Sequence, residues 1–160
     1  MESSTAVRYS GIPDKSPIMD ALQTRSNVLQ MTQQAEDAVL KPVDCGAWSH
    51  SLRAALAARI ALNNALPELA EHYMALMSED DCLAIANTDG DGSEQHLAHV
   101  VKYMDSVAVS PRDVVDADIS ALQQHGVSDA DIVRLTELNA FMAYQVRLVA
   151  GLNLLSEMPA

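Results

Sequence analysis

Apolar residues recur at helical spacing along most of this chain, and the longest uninterrupted run lies between Ser128 and Leu155. Ile132, Leu135, Leu138, Met142 and Val146 follow one helical face, while Phe141, Tyr144, Leu148, Val149, Leu152 and Leu155 fill the remaining sides. Ser128 is placed as an N-cap, and Asp129 and Asp131 put negative charge in the first turn, where the helix dipole favours it. A helix apolar on most sides is buried on most sides. The pattern therefore predicts a central core helix, or one whose second face is covered by another subunit.

The rest of the chain reads as shorter helices between turn signals. Residues 1–15 are polar and carry Gly11 and Pro13, which predicts an extended N-terminal arm. Ser16-Pro17 opens a helix whose stripe is Ile18, Leu22, Leu29 and Val39 and which stops before Pro42. Ser49 or Ser51 caps the next, with Leu52, Leu56 and Ile60 facing inward and Arg53 and Arg59 on the outer side or reaching a pocket. Pro67 starts a further segment, ELAEHYMALM. After an acidic, turn-rich break over Ser78–Glu94, Ser93 caps a helix carrying His96 and His99 together with Leu97, Val100, Val101 and Met104. Ser110-Pro111 restarts a helix that runs to Gln124 and ends at Gly126. The expected fold is all-α, a bundle of about six to eight helices forming a single domain over 16–160 behind the 1–15 arm.

Composition agrees with helix-on-helix packing: hydrophobic residues make up 49% of the chain but aromatic ones only 4%. Ten basic residues stand against 22 acidic ones, a formal charge of -12, so no basic surface is expected to meet nucleic acid or anionic lipid. Gln145 and Arg147 in the middle of the last apolar run argue against a membrane span. Cys45 and Cys82 are far apart in sequence and no signal segment opens the chain, which leads us to expect a reducing cytoplasm.

Several groups of residues carry possible chemistry. Glu68 and His72 are four apart on one helix face, the spacing of a general acid/base pair and equally of a solvated surface pair. Cys45 precedes His50 by five residues, so the imidazole could activate the thiol, but no third orienting group is evident and a buried structural thiol near Trp48 is the simpler reading. His96 and His99, one turn apart, are weak candidate metal ligands without a third partner, and no metal or cofactor is expected. Asn87, Asp89, Asp91 and Gly92 imitate the first half of a calcium loop, yet its twelfth position is Ala98 where a bidentate Glu is required.

The segment from His96 to Leu155, with SPRDVVDADISALQQHGVSDADIVRLTELNAFMAYQVRLVAGLNLL, resembles the later part of proteins in the carboxymuconolactone decarboxylase and alkylhydroperoxidase D-like superfamily. Gly126, Ser128, Asp129, Ile132, Asn139, Phe141 and Arg147 carry the likeness, together with LRAALAARIALNN earlier in the chain. The resemblance implies an all-helical fold that assembles as dimers, trimers or hexamers, here through the 128–155 helix. Active peroxidases of that superfamily use Cys-x-x-Cys followed by His. In this chain the two cysteine columns are Ala65 and Glu68 when aligned on His72, or Leu66 and Leu69 when aligned on Asn64, and the upstream acid falls on Arg53 or Ala54. Without a thiolate and a resolving thiol there, dithiol peroxidase chemistry at that position is excluded.

The decarboxylase branch resembles Glu-Leu-x-x-His at the same helix, and Glu68-Leu69-Ala70-Glu71-His72 fits. By that resemblance the expected function is acid/base chemistry, of decarboxylase or lyase type, on a small acid or lactone. Arg53 or Arg59 would hold the carboxylate and His72 would supply the proton. The alternative is a non-catalytic oligomeric assembly protein with a vestigial site.

Overall fold

A computed structural model describes residues 4–78 and 82–157; residues 1–3 of the expected arm, 79–81 of the acidic break and 158–160 lie outside it. Among the described residues the protein is all-helical, with no strand. The helices are α1 (Thr5–Arg8), α2 (Pro17–Gln23), α3 (Ser26–Leu40), α4 (His50–Asn63), α5 (Pro67–Met74), α6 (Cys82–Ala86), α7 (Ala98–Val109), α8 (Asp116–Gln124) and α9 (Asp129–Ser156), with a 3-10 turn at Pro111–Asp113.

The bundle is built around α4 rather than around the long last helix. Every residue from Ser51 to Ala61 is buried, and α4 packs against α3, α5, α6, α7 and α9. Ala54, Ala55, Ala57, Ala58 and Ala61 leave little side chain between it and its neighbours, so five helices can approach one axis. Ser49 is the cap, its hydroxyl accepting from Leu52 N at 3.2 Å. Burial on all faces encloses Arg53 and Arg59, which the sequence pattern places outside or at a pocket. Each is 4% exposed or less and is held by hydrogen bonds to the chain around it.

Helix α9 begins as its sequence implies, with Ser128 Oγ accepting from Asp131 N at 3.2 Å. It is one-sided, however. Ile132, Leu135, Leu138, Met142, Val146 and Val149 face the core, while Val133, Tyr144, Leu154 and Leu155 are exposed to between 43 and 67%. Asn139 is buried and donates to Met104 O at 2.8 Å, whereas Arg147 is exposed and reaches only its own helix, at Ala143 O.

Four local expectations change, the first being that the helix expected from Ser110-Pro111 to Gln124 is a 3-10 turn at Pro111–Asp113 followed, after the extended residues Val114 and Val115, by α8. The segment expected to be extended forms the helical turn α1, with Thr5, Ala6 and Ser10 buried against the bundle. With its amide nitrogen facing the arm, Asn153 of α9 donates to Ser10 O and Tyr9 O at 2.6 and 3.0 Å, which fastens the arm to its own chain. The single helix expected from Pro17 to Pro42 is two, broken at Thr24 and Arg25, where Thr24 Oγ1 bonds Ala21 O and Arg25 N turns back to Leu22 O. In consequence α3 buries Thr32, Glu36 and Leu40 instead of the Leu29 and Val39 stripe. Finally, α7 starts at Ala98, because His96 sits at φ +58° in a turn closed by Leu97 N on Gly92 O.

Candidate functional site

Helix α5 opens at Pro67, and its inner face buries Leu69, Ala70 and Tyr73 against α4. That packing sets the neighbouring positions at the edge of the bundle. His72 is half-buried and borders a cavity of about 240 Å³ lined by Thr5, Arg8, Gln33, Glu36, Asp37, Leu40, Lys41, His72 and Leu76. α1 supplies Arg8, the end of α3 supplies Glu36 and Lys41 follows it, so three separate stretches of sequence converge there. Tyr9 and Tyr73 flank the imidazole, each with ring centroids 5.2 Å from it. Burial lowers the pKa of His72 below its ordinary value, and the charges of Arg8 and Lys41 lower it further. Both effects favour the neutral imidazole over the imidazolium.

The buried wall of the cavity is a carboxyl group that the sequence does not announce. Glu36 is 2% exposed and accepts from Tyr73 Oη at 2.9 Å through Oε1, while Oε2 has no hydrogen-bond partner among the described residues. Desolvation raises its pKa above the usual carboxylate range, with Asp37 adding to the rise and Thr5, Tyr73 and Gln33 opposing it. Tyr73 is wholly buried; desolvation, then the nearby Glu36 charge, raises its pKa well above the phenol value, so its hydroxyl keeps its proton and donates. Gln145 of α9 lies beside this pair, fully buried, close to the Tyr73 hydroxyl but without completing a well-formed hydrogen bond. The signal for Glu36 in the sequence is only its spacing, four residues from both Thr32 and Leu40.

The remaining candidates from the sequence are placed elsewhere. Glu68 is exposed and lines a different cavity of about 210 Å³, with Tyr9, Pro67, Val149 and Asn153, and neither a hydrogen bond nor an ion pair joins it to His72. Arg53 donates to Trp48 O, Val39 O and Cys45 O at 3.0 to 3.1 Å, which ties the 41–49 loop to α4; burial lowers its pKa. Arg59 pairs with Asp105 bidentately, Nε and Nη2 each donating to one carboxylate oxygen at 2.8 Å, and Nη1 donates to the carbonyls of Ile85, Asn87 and Gly90. It therefore serves as the internal cation of the loop whose sequence imitates a calcium site, turning those carbonyls toward itself. Neither arginine lines the His72 cavity.

Cys45 Sγ and His50 Nε2 both meet the same atom, Pro42 O, at 3.9 and 3.0 Å, and no hydrogen bond joins thiol to imidazole. Neither Cys45 nor Cys82 is in a disulfide. His96 is exposed in its turn, and His99 instead stacks on His125, ring centroids 4.4 Å apart. Among the described residues no group of three or more His, Cys, Asp or Glu side chains is arranged to hold a metal ion. No described helix is long and apolar enough to cross a membrane.

No protein-family model, curated protein or solved structure matches the chain.

Proposed function

We propose that the protein is a small-molecule acid/base enzyme of the carboxymuconolactone decarboxylase and alkylhydroperoxidase D-like type, without dithiol peroxidase chemistry. It would act on a small acid or lactone in a decarboxylase or lyase reaction. The observation that carries the reading is the position of His72, the histidine of the Glu-Leu-x-x-His motif, on a cavity whose other lining includes two cations, Arg8 and Lys41. No ion pair engages either cation among the described residues, so both are available to a substrate carboxylate. They take the role that the sequence pattern offers to Arg53 and Arg59, whose guanidinium groups are spent on the fold. A carboxylate at the rim and a neutral imidazole beside it are the parts that proton transfer next to a carboxylate requires.

The test is turnover. Purified protein offered 4-carboxymuconolactone and a panel of small carboxylated lactones should release carbon dioxide or shift the ultraviolet spectrum, and His72→Ala should lower kcat/KM by about 100-fold or more. Equal turnover by His72→Ala, or none by the wild-type protein across the panel, overturns the reading. The same preparation should not reduce hydroperoxides with a dithiol donor.

A second reading, assembly without catalysis, draws on a different observation: the exposed apolar side chains of α9, among them Tyr144, Leu154 and Leu155. Self-association through that face is compatible with an active cavity, since the residues bordering the cavity come from α1, α3 and α5 and the chain just after α3 and α5.

A further inference from the structure

We propose that a second cavity, walled by the short helix α2, binds a hydrophobic monocation: an alkyl chain or ring system that ends in an amine or quaternary ammonium group. The inference does not depend on the small-acid reading of the His72 site. Helix α1 lends Thr5 and Arg8 to the His72 cavity and Val7 to this one, and Gln33 alone lines both.

Three observations carry it. The first is the size and the wall. The cavity measures about 590 Å³, inside the range of roughly 300–1,000 Å³ usual for small-molecule sites. Its apolar wall is drawn from three elements, with Val7 from α1, Met19 and Leu22 from α2, and Leu29 from α3.

The second is the state of α2. Ser16 caps the helix and Pro17 opens it, yet none of its seven residues is buried; Ile18, Met19 and Leu22 are each half-buried. A helix this short draws its stability from burying an apolar side against something else. Met19 and Leu22 border empty space where a core would be, so an apolar body in the cavity completes a burial that the chain itself leaves unfinished.

The third is charge, which selects the head group. Asp14 is the one charged residue lining the cavity, it is exposed, and no ion pair among the described residues engages its carboxylate. Lys15 and Arg25, on the two sides of α2, do not line the cavity. The head group of a fatty acid or phosphate ester would therefore meet a carboxylate without a basic partner, in a chain of formal charge -12, whereas an ammonium group meets a free acceptor. Gln33 adds nothing to the choice, because its Oε1 accepts from Thr5 and its Nε2 donates to Asp37.

The experiment is isothermal titration calorimetry of the full chain with decyltrimethylammonium, kept below its micelle concentration. Saturable binding of one equivalent is expected. Affinity should fall about fourfold for each methylene removed on going to the octyl compound, as chain burial requires. Decyl sulfate should bind more weakly than decyltrimethylammonium, and Asp14→Asn should narrow that gap by about threefold to fivefold at low salt. Leu22→Arg, which puts a cation into the apolar wall, should weaken binding at least tenfold. Met19→Arg is the second variant, should Leu22→Arg fail a thermal melt, and Leu155→Arg, with the same change of charge on α9, should bind as wild type does. Absence of saturable binding overturns the inference, as does equal affinity for decyl sulfate, an affinity independent of chain length, or a loss in Leu155→Arg equal to that in Leu22→Arg. A Leu22→Arg protein that changes its sedimentation while its isotherm stays as in wild type assigns the cavity to a second copy of the chain and overturns the inference as well.

Discussion

Glu36 and His72 sit on the same cavity with pKa values displaced in opposite directions, both chiefly by burial. Desolvation disfavours the charged form of each, which for a carboxyl group means keeping its proton and for an imidazole means losing it. The opposition gives one potential donor and one potential acceptor in a single small space, the arrangement acid/base catalysis needs. It also fixes a dependence of stability on pH. His72 and His99 are both depressed, so the stability they contribute is present above the unfolded value near 6.5 and is lost as pH falls through their folded values. Glu36 is raised, so its contribution is full below about 4.5 and declines as pH rises through its folded value. Unfolding midpoints followed from pH 7.5 to 5 should fall less steeply in the His72→Gln, His99→Gln double variant than in wild type. Glu36→Gln should flatten the alkaline side instead. Parallel curves for all three proteins would refute the assignment.

Among the elements, the join between the 41–49 loop and the start of α9 is the most tightly specified. Asp131 Oδ1 accepts from Ala47 N and from Arg134, its Oδ2 accepts from Ser128 Oγ, and Trp48 Nε1 donates to Asp131 O at 2.9 Å. The Ser128 and Ala47 hydrogen bonds lower the pKa of Asp131, so the join is strongest with the carboxylate ionised. Gly46 passes directly over it. Its φ is +58°, a conformation that side chains resist, and an added Cβ would collide with Asp131 Oδ1 and lie 2.7 Å from Arg134 Nη1. Gly46→Ala should therefore cost more than about 1 kcal/mol and expose Trp48, seen as a red shift of its fluorescence. An unchanged denaturation midpoint would show that the loop yields freely. Glycine and the Ser-x-x-Asp cap are visible in the sequence, but their meeting is not, because residues 46 and 131 are brought together only when α4 and α9 pack.

For the molecule as a whole, the open question of the sequence pattern was what covers the second face of the last helix. Within one chain Leu154 and Leu155 stay exposed, Tyr144 is 46% exposed although its hydroxyl meets Thr32 Oγ1, and Met31 of α3 is 65% exposed as well. We propose that copies of the chain meet there. The wild-type protein should sediment as a discrete oligomer at micromolar concentration, and the Leu154→Glu, Leu155→Glu pair should shift it to monomer while the helical circular dichroism is kept. A wild-type protein that sediments as monomer sinks the proposal. The large negative charge, -12 over the chain, makes the association salt-dependent, since screening relieves repulsion between copies.

Read from the sequence by itself, the all-helical class and the caps at Ser16 and Ser128 were determined, because periodicity and capping are properties of residues within four positions of one another. So was the position of His72 on α5. The choice of Ser49 over Ser51 and the loss of the cap expected at Ser93 were settled by the structure. Which helix is central was decided only by packing: small alanines, rather than the longest apolar run, allow α4 to be enclosed on every side. Packing likewise consumed Arg53 and Arg59 on backbone carbonyls and Asp105, since a buried guanidinium must be satisfied wherever it falls. The polar stripe of α3 reads as solvent-facing until Tyr73 and Tyr144 supply hydroxyls to Glu36 and Thr32 from helices distant in sequence. The cavity that brings Glu36, His72, Arg8 and Lys41 together exists only in that tertiary arrangement, because burial and convergence of distant segments are not local properties of a chain.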